Sequence, residues 1–488
     1  MNLNSIPNKH KTYPSKPNLY AFFIALGGGL LKDNGVISYI IPQTILTAND
    51  LDVLRFHLST YTTIDKIITF SGNMFLGRGI KQNKPVPTSS LIFIIRKTPP
   101  AKLHQIEIIN YIQKDDTPFY TKDLQNPQKW HKVIKKKILQ NNLRQNSDNW
   151  NYITQEAEVL EVLENYEKNS DSFDTYRLFE FSVPVYGDKF YFDVGFILDD
   201  KQILSEKDEN CYEILDFKSF EGYSSFKPTK FYPKNFNLIK LTRSNQGHIT
   251  LEPKWNLVWR IKNTTGFKLT NHPIIFNMGV ASIITSNNTD EMHYLLSLLN
   301  STINKLVLET FLKIPTEKDY LVAILPIKKY IRVPKINSFN EHIKKDVISS
   351  TIELLEMEKA TIAGLVDFKG IMLQKFDTAE VIDDTLHLHY KDKEAKCKIL
   401  DKVELIKGIV SNLKNVALFN EDGIGSISEL KLLSAYDREY QAQLKNYIDD
   451  LVYALYFKVK LPELGFENAE QIKDVCANHK YYKLVNSK

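Results

Sequence analysis

The run VISYII at positions 36–41 constrains the fold more than any other feature. A short, mostly apolar and β-branched stretch bounded by Gly35 and Pro42 reads as a strand, and its continuity predicts cover on both faces. Before it, Leu19, Phe22, Phe23, Leu26 and Leu30 recur at helical spacing, and Lys32-Asp33-Asn34-Gly35 supplies the stop. A second helix is expected over 49–60, with Leu51, Leu54 and Leu58 on one face, then strands at Ile64–Phe70 and Leu91–Ile95. These elements are half of a buried α/β sheet, because they cannot cover both of its faces and imply strands from elsewhere.

The rest of the chain divides by composition. Residues 101–170 are polar, and Asn and Gln are frequent between 139 and 155, which predicts a mostly helical connection. From Tyr176 to about Ile336, short aromatic and β-branched runs such as 190–196, 237–242, 257–261 and 273–276 predict irregular β structure, interrupted by a helix at 290–312. Tyr436, Tyr440, Leu444, Ile448, Leu451, Val452 and Leu455 mark a closing helix with a wide apolar stripe. The expected divisions are 1–100, 101–170, 171–400 and a helical 401–488.

No apolar stretch reaches the roughly 20 residues that span a bilayer, and no export signal is evident. The three cysteines, Cys211, Cys397 and Cys476, are far apart. A reducing cytoplasm is the expected compartment. Sixty-three Lys and Arg against 58 Asp and Glu leave a formal charge of +5, too small to identify a nucleic-acid partner by itself. The distribution says more. Basic residues gather at Lys132, Lys135, Lys136, Lys137 and Arg144, and again at Lys227, Lys230, Lys234, Lys240 and Arg243, interleaved with Phe226, Phe231, Tyr232 and Phe236. Cations beside aromatics suit phosphate and base contact as well as packing. Trp255, Trp259 and Arg260 occupy a strand on which they could share one face; Trp pairs in β domains are usually core.

The block Asn18–Leu58, followed by IDKIITFSGNMF (64–75) and SSLIFIIRK (89–97), resembles the later part of gamma-class adenine DNA methyltransferases of the TaqI-like and type IIG restriction-modification kind. HYLLSLLNSTI (293–303), VAILPI (322–327) and YIDDLVYALYF (447–457) resemble later elements of the same family, in the same order. The resemblance implies a partial doubly wound methyltransferase-type sheet, a mixed α+β DNA-recognition domain and a helical C-terminus. It implies double-stranded DNA as partner and S-adenosylmethionine as methyl donor. Phe75 matches the aromatic on which such enzymes stack the flipped adenine, with Arg78 and Lys81 beside it. Lys227, Lys230, Lys234, Arg243 and Arg260 are the other DNA-contacting candidates.

Two motifs of the family are absent from the sequence: the Gly-rich turn after a strand that approaches the methyl donor, and the Asn-Pro-Pro-Tyr loop that binds the adenine amine. Gly27–Gly29 lies at a helix end, which predicts close packing or a bend. No catalytic or donor-binding residue is therefore assigned. The implied catalytic half is a separate N-terminal methyltransferase half or has been lost. The alternatives are a non-catalytic specificity subunit and an inactive remnant of a split gene.

Two constellations of a different kind are present. Asp200 with Asp216-Phe217-Lys218 fits the acid and acid-x-Lys spacing of metal-dependent nucleases, a spacing common by chance. His387 and His389 with Asp383 could face one side of a strand, but such pairs are more often exposed strand residues than metal ligands.

Overall fold

The computed structural model describes residues 19–71, 89–113, 126, 130–173, 179–180, 190–193, 195–217, 220–221, 223, 225–226, 228–235, 240–241, 255–262, 266–313, 320–359, 378–399, 407 and 435–487. The chain forms two compact units, 1–164 with 307–321, and 165–306 with 322–488.

In the first unit α1 (Leu19–Leu30) precedes β1 (Val36–Pro42), α2 (Asp52–Tyr61), β2 (Thr63–Phe70), β3 (Ser90–Arg96), β4 (Gln105–Gln113) and β5 (Trp130–Leu139). These strands form one sheet in the order β1-β3-β2-β4-β5. Only β2 and β4 are parallel; the other three pairs are antiparallel. The arrangement is mixed α/β. The sheet extends beyond residue 100, where β4 and β5 replace the expected helical connection. Alternation in QIEIINYIQ buries Ile106 and Ile108, and the lysines of β5 sit along an edge strand, where charge is tolerated. The short α3 (Gln140–Gln145) and then α4 (Ala157–Lys168) follow.

The main core lies on one face of this sheet, where Ile41, Leu54, Leu58, Ile67, Phe93, Ile108 and Trp150 meet. Arg55, fully buried, ties the loops around it, donating to the carbonyls of Ile45 (2.8 Å), Ala48 (2.9 Å), Ser147 (2.6 Å) and Asp148 (2.6 Å).

Two expectations fail here. β1 is not covered on both faces: it ends the strand order, and Val36 and Ile40 are 50% and 46% exposed. The apolar stripe of α1 faces outward, with Leu19, Phe22, Phe23, Leu26 and Leu30 between 50% and 77% exposed. The small residues Ala21 and Gly27, with Ile24, are the packed side, because only small side chains let the helix lie close on β1.

The second unit consists of small sheets and helices. One sheet runs β16 (Lys268–Thr270), β15 (Trp255–Arg260), β18 (Ala281–Ser286), β8 (Phe190–Asp193), β7 (Phe179–Glu180), and another β13 (Phe231–Pro233), β10 (Cys211–Ile214), β17 (Ile274–Ile275). Two-residue strands β11 (Phe220–Glu221) and β12 (Ser225–Phe226) form a hairpin. β9 (Phe196–Ile197) pairs with β14 (Lys240–Leu241), and β6 (Ser170–Ser172) with β19 (Arg332–Pro334). β20 (Thr378–Ile382), β21 (Thr385–Tyr390), β22 (Lys393–Ile399) and β23 (Ala435–Asp437) form a meander.

The helix expected at 290–312 is two, α5 (Thr289–Asn300) and α6 (Thr302–Leu312), because Ser301 is extended. α7 (Ile324–Tyr330), α8 (Glu341–Met357) and α9 (Arg438–Phe457) follow, then α10 (Ala469–Ala477) and α11 (Tyr482–Asn486). α9 is the expected apolar-striped helix. Asp437 caps it by accepting from the Glu439 and Tyr440 amides, and Lys458 closes it at φ 55°. Among the described residues no helix is long and apolar enough to cross a membrane.

Candidate nucleic-acid interface

In open α/β sheets ligands gather beyond the carboxyl ends of the strands. Gln43, just past β1 and buried, occupies that position. Its side-chain amide donates to the Phe70 carbonyl (2.9 Å) and the Ser90 carbonyl (3.0 Å), and its backbone N–H donates to Ser89 (2.8 Å). One residue thus ties both ends of the segment that holds Phe75, Arg78 and Lys81. Those three candidates lie outside the described residues, as do Lys227 and Arg243. Sequence reasoning missed Gln43; a Gln directly after a strand-ending Pro is the only signal of it.

Gly27–Gly29 does not fit a methyl-donor cradle. It lies in the last turns of α1, and a Cβ on Gly27 would come within 2.5 Å of Ile37 Cδ1. Gly28 and Gly29 instead border a cavity of about 500 Å³ with Ile24, Leu31, Leu58 and Ile95. Among the described residues that line it none is a carboxylate. Lys97, at its wall, donates to the carbonyl of Leu31 (2.5 Å).

The first basic cluster is divided over β5. Lys136 turns inward and donates to the Gln155 carbonyl (2.5 Å), and burial lowers its amine to about 8. Lys132 pairs with Glu156 (2.6 Å), and Arg144 stands 6.0 Å from the centroid of the Phe56 ring.

In the second cluster Phe231 and Tyr232 separate from Lys230 and Lys234. Phe231 and Tyr232 are core residues of the β10–β13 pair, and the Tyr232 hydroxyl accepts from the Asp199 amide (3.1 Å). Lys230 is exposed and 3.6 Å from the Asp216 carboxylate. Lys234 is exposed, donates to the Glu209 carbonyl (2.9 Å) and lies 5.7 Å from the Tyr212 ring centroid.

Trp259 is fully buried, with its indole N–H on the Val322 carbonyl (2.6 Å); Trp255 is half-buried and donates to Thr289 (3.0 Å). Arg260 is exposed next to buried Trp259, so it does not share that tryptophan's face, as strand alternation requires.

Several described members of the two remaining constellations have protein partners. Asp216 pairs with Lys230, Phe217 packs on a core cluster, and Lys218 lies outside the described residues. His387 and His389 both face Glu394, at 3.4 and 3.6 Å, and Lys396 shares that carboxylate (3.3 Å); Asp383 belongs to the preceding turn, at φ 55°. Among the described residues no group of three or more His, Cys, Asp or Glu is placed to hold a metal ion.

The family described as Eco57I restriction-modification methylase matches residues 2–75. Over those residues the chain is similar to restriction-modification methylases. The chain is similar to the type IIG restriction endonuclease BpuSI at 13% identity and TM-score 0.29, covering 90% of this chain and 49% of that one. It is similar to the type IIL restriction-modification enzyme MmeI in complex with DNA, at 9% identity and TM-score 0.42, covering 96% and 52%. A third similarity is to the ATP-dependent type ISP enzyme LlaBIII bound to DNA, at 12% identity and TM-score 0.40, covering 93% and 33%. The chain spans about half the length of the first two. No curated protein matches it.

Proposed function

We propose that this chain is the DNA-recognising part of a site-specific adenine methyltransferase of a restriction-modification system, completed by an N-terminal methyltransferase half not in this sequence. That half binds S-adenosylmethionine and contributes the loop that holds the adenine amine. The observation that carries the reading is the methylase match over residues 2–75 in a sequence without the donor and amine-binding motifs. Phe75 takes the stacking role toward the flipped base, with Arg78 and Lys81 toward phosphate. Lys227, Lys230, Lys234, Arg243 and Arg260 contact the duplex.

The test is fluorescence anisotropy of the full chain on a 30-base-pair duplex as salt is raised. Each phosphate neutralised by Lys or Arg releases counterions, so log affinity falls against log salt by about 0.9 per contact. Replacing Lys230, Lys234 and Arg243 together with Ala is expected to weaken binding and flatten that slope. Unchanged affinity and slope in the triple variant would remove this stretch from the interface.

A further inference from the structure

The cavity of about 500 Å³ in the first unit opens between α1 and α2, over Ile37 of β1 and Ile95 of β3, which pair in register. Ile24 and Gly28, one turn apart on α1, and Leu58 of α2 add to its walls. Ile24 and Gly28 sit on the side of α1 away from Phe22, Phe23 and Leu26, whose side chains are half exposed. A polypeptide docked on that outer stripe therefore does not fill the cavity.

Glycine inside a helix is destabilising relative to alanine, so each one needs a reason. Gly27 has one, since a Cβ there would meet Ile37 Cδ1 at 2.5 Å. Gly28 and Gly29 have nothing among the described residues within 4 Å of the place a Cβ would take, and both line the cavity. Packing inside the chain does not account for this pair; room for a guest beside the helix does.

The polar groups of the wall decide what fits. The Thr62 hydroxyl donates to the Leu58 carbonyl (2.6 Å), and the Lys97 ammonium donates to the carbonyls of Leu31 (2.5 Å) and Gly29 (3.4 Å), so both are turned to the protein. Among the described lining residues none is a carboxylate. A charged guest would lose its hydration without gaining a counter-charge. On the α2 side His57, 3% exposed, and the half-exposed Tyr61 place their rings 5.2 Å apart between centroids. Such rings pack well against a flat aromatic guest, and the Tyr61 hydroxyl can meet a polar edge.

We propose that this cavity is a binding site for an uncharged, multi-ring aromatic molecule, kept open by Gly28 and Gly29. Its volume lies in the range of pockets that enclose ligands of that size. The proposal is independent of the DNA-recognition reading.

The experiment titrates N-phenyl-1-naphthylamine, an uncharged aromatic amine whose emission rises in apolar surroundings, into the full chain carrying Phe23→Lys and Leu26→Lys. Those two exposed positions are changed so that the outer stripe does not compete for the dye. Saturable binding is expected with a Kd of about 10 μM. Adding Gly28→Leu, which puts a side chain into the cavity, should raise that Kd about tenfold or more without lowering the melting temperature. Gly28→Ala serves if the Leu variant folds poorly; its methyl group should raise the Kd about threefold while raising the melting temperature. 2-Naphthol should displace the dye at much lower concentration than 1-decanol, which is apolar but has no ring. Absence of saturable binding below about 100 μM dye overturns the proposal. A Kd that neither Gly28 variant changes overturns it too, because the dye then lies elsewhere. Displacement by decanol as readily as by naphthol overturns the aromatic assignment.

Discussion

Arg55 shows how a single buried charge is tolerated. Its guanidinium has no exposed surface, yet four backbone carbonyls from two loops accept from it, so desolvation is offset by charge-assisted bonds. Arg55→Met would fill similar space and leave those carbonyls unsatisfied. The expected loss is about 3–5 kcal/mol in urea unfolding; a loss below about 1 kcal/mol would show that water replaces the guanidinium without penalty. Asp450 is the opposite case, a carboxyl whose burial raises it to about 6, although the Tyr482 hydroxyl donates to it at 2.6 Å. Because the folded state holds this proton more tightly than the unfolded chain, Asp450 favours folding most below about pH 4. The contribution is lost as pH rises from about 4 to about 6. The difference in melting temperature between the parent chain and Asp450→Asn should therefore change across that window and be flat above it. A constant difference from pH 4 to 7 would place Asp450 in contact with water.

At the scale of elements, the three glycines of α1 divide into two kinds. A Cβ at Gly27 meets Ile37 Cδ1 at 2.5 Å and the Tyr39 hydroxyl at 3.0 Å, whereas Gly28 and Gly29 have nothing within 4 Å. Gly28→Ala and Gly29→Ala should each stabilise the helix by about 0.5–1 kcal/mol, and Gly27→Ala should destabilise it by about 1–3 kcal/mol through overpacking. Calorimetry on the three variants checks the signs; three equal effects would contradict the packing of α1 on β1. The sequence made α1 legible but not its direction, since spacing identifies a stripe and not what the stripe faces. β1, β2, β3 and α9 were legible because each carries a long run of one period. β5 was hidden by charge, lysine on an edge strand being as soluble as lysine on a helix, whereas β4, QIEIINYIQ, carries one charge and was obscured only by the polar sequence around it. The hydrogen bond from the Tyr223 amide to Glu358 joins residues 135 apart and leaves no local pattern, and a pair of two-residue strands is too short to have a period. Of the site candidates, the exposure of Lys230 and Lys234 was legible from charge; the burial of Phe231 and Tyr232 was not, because aromatics beside cations suit a core and an interface equally.

For the molecule as a whole, the consequential surface belongs to the first unit. Five large apolar residues of α1 are at least half exposed, and β1, at the end of the strand order, adds Val36 and Ile40. An edge strand beside an apolar helix is a template for pairing with another polypeptide, and on the proposed function the occupant is the catalytic half. Without that half, the full chain should associate with itself at micromolar concentration. Light scattering should report species larger than one chain, and a hydrophobic dye such as ANS should bind. Replacing Phe23, Leu26 and Ile40 with Lys should restore a monomer and remove the dye signal. These side chains are half exposed or more, apart from Ile40 at 46%, so the melting temperature should change little. A parent chain that stays monomeric and does not bind the dye would mean that this surface is already covered, and would remove the main physical reason for expecting a second polypeptide there.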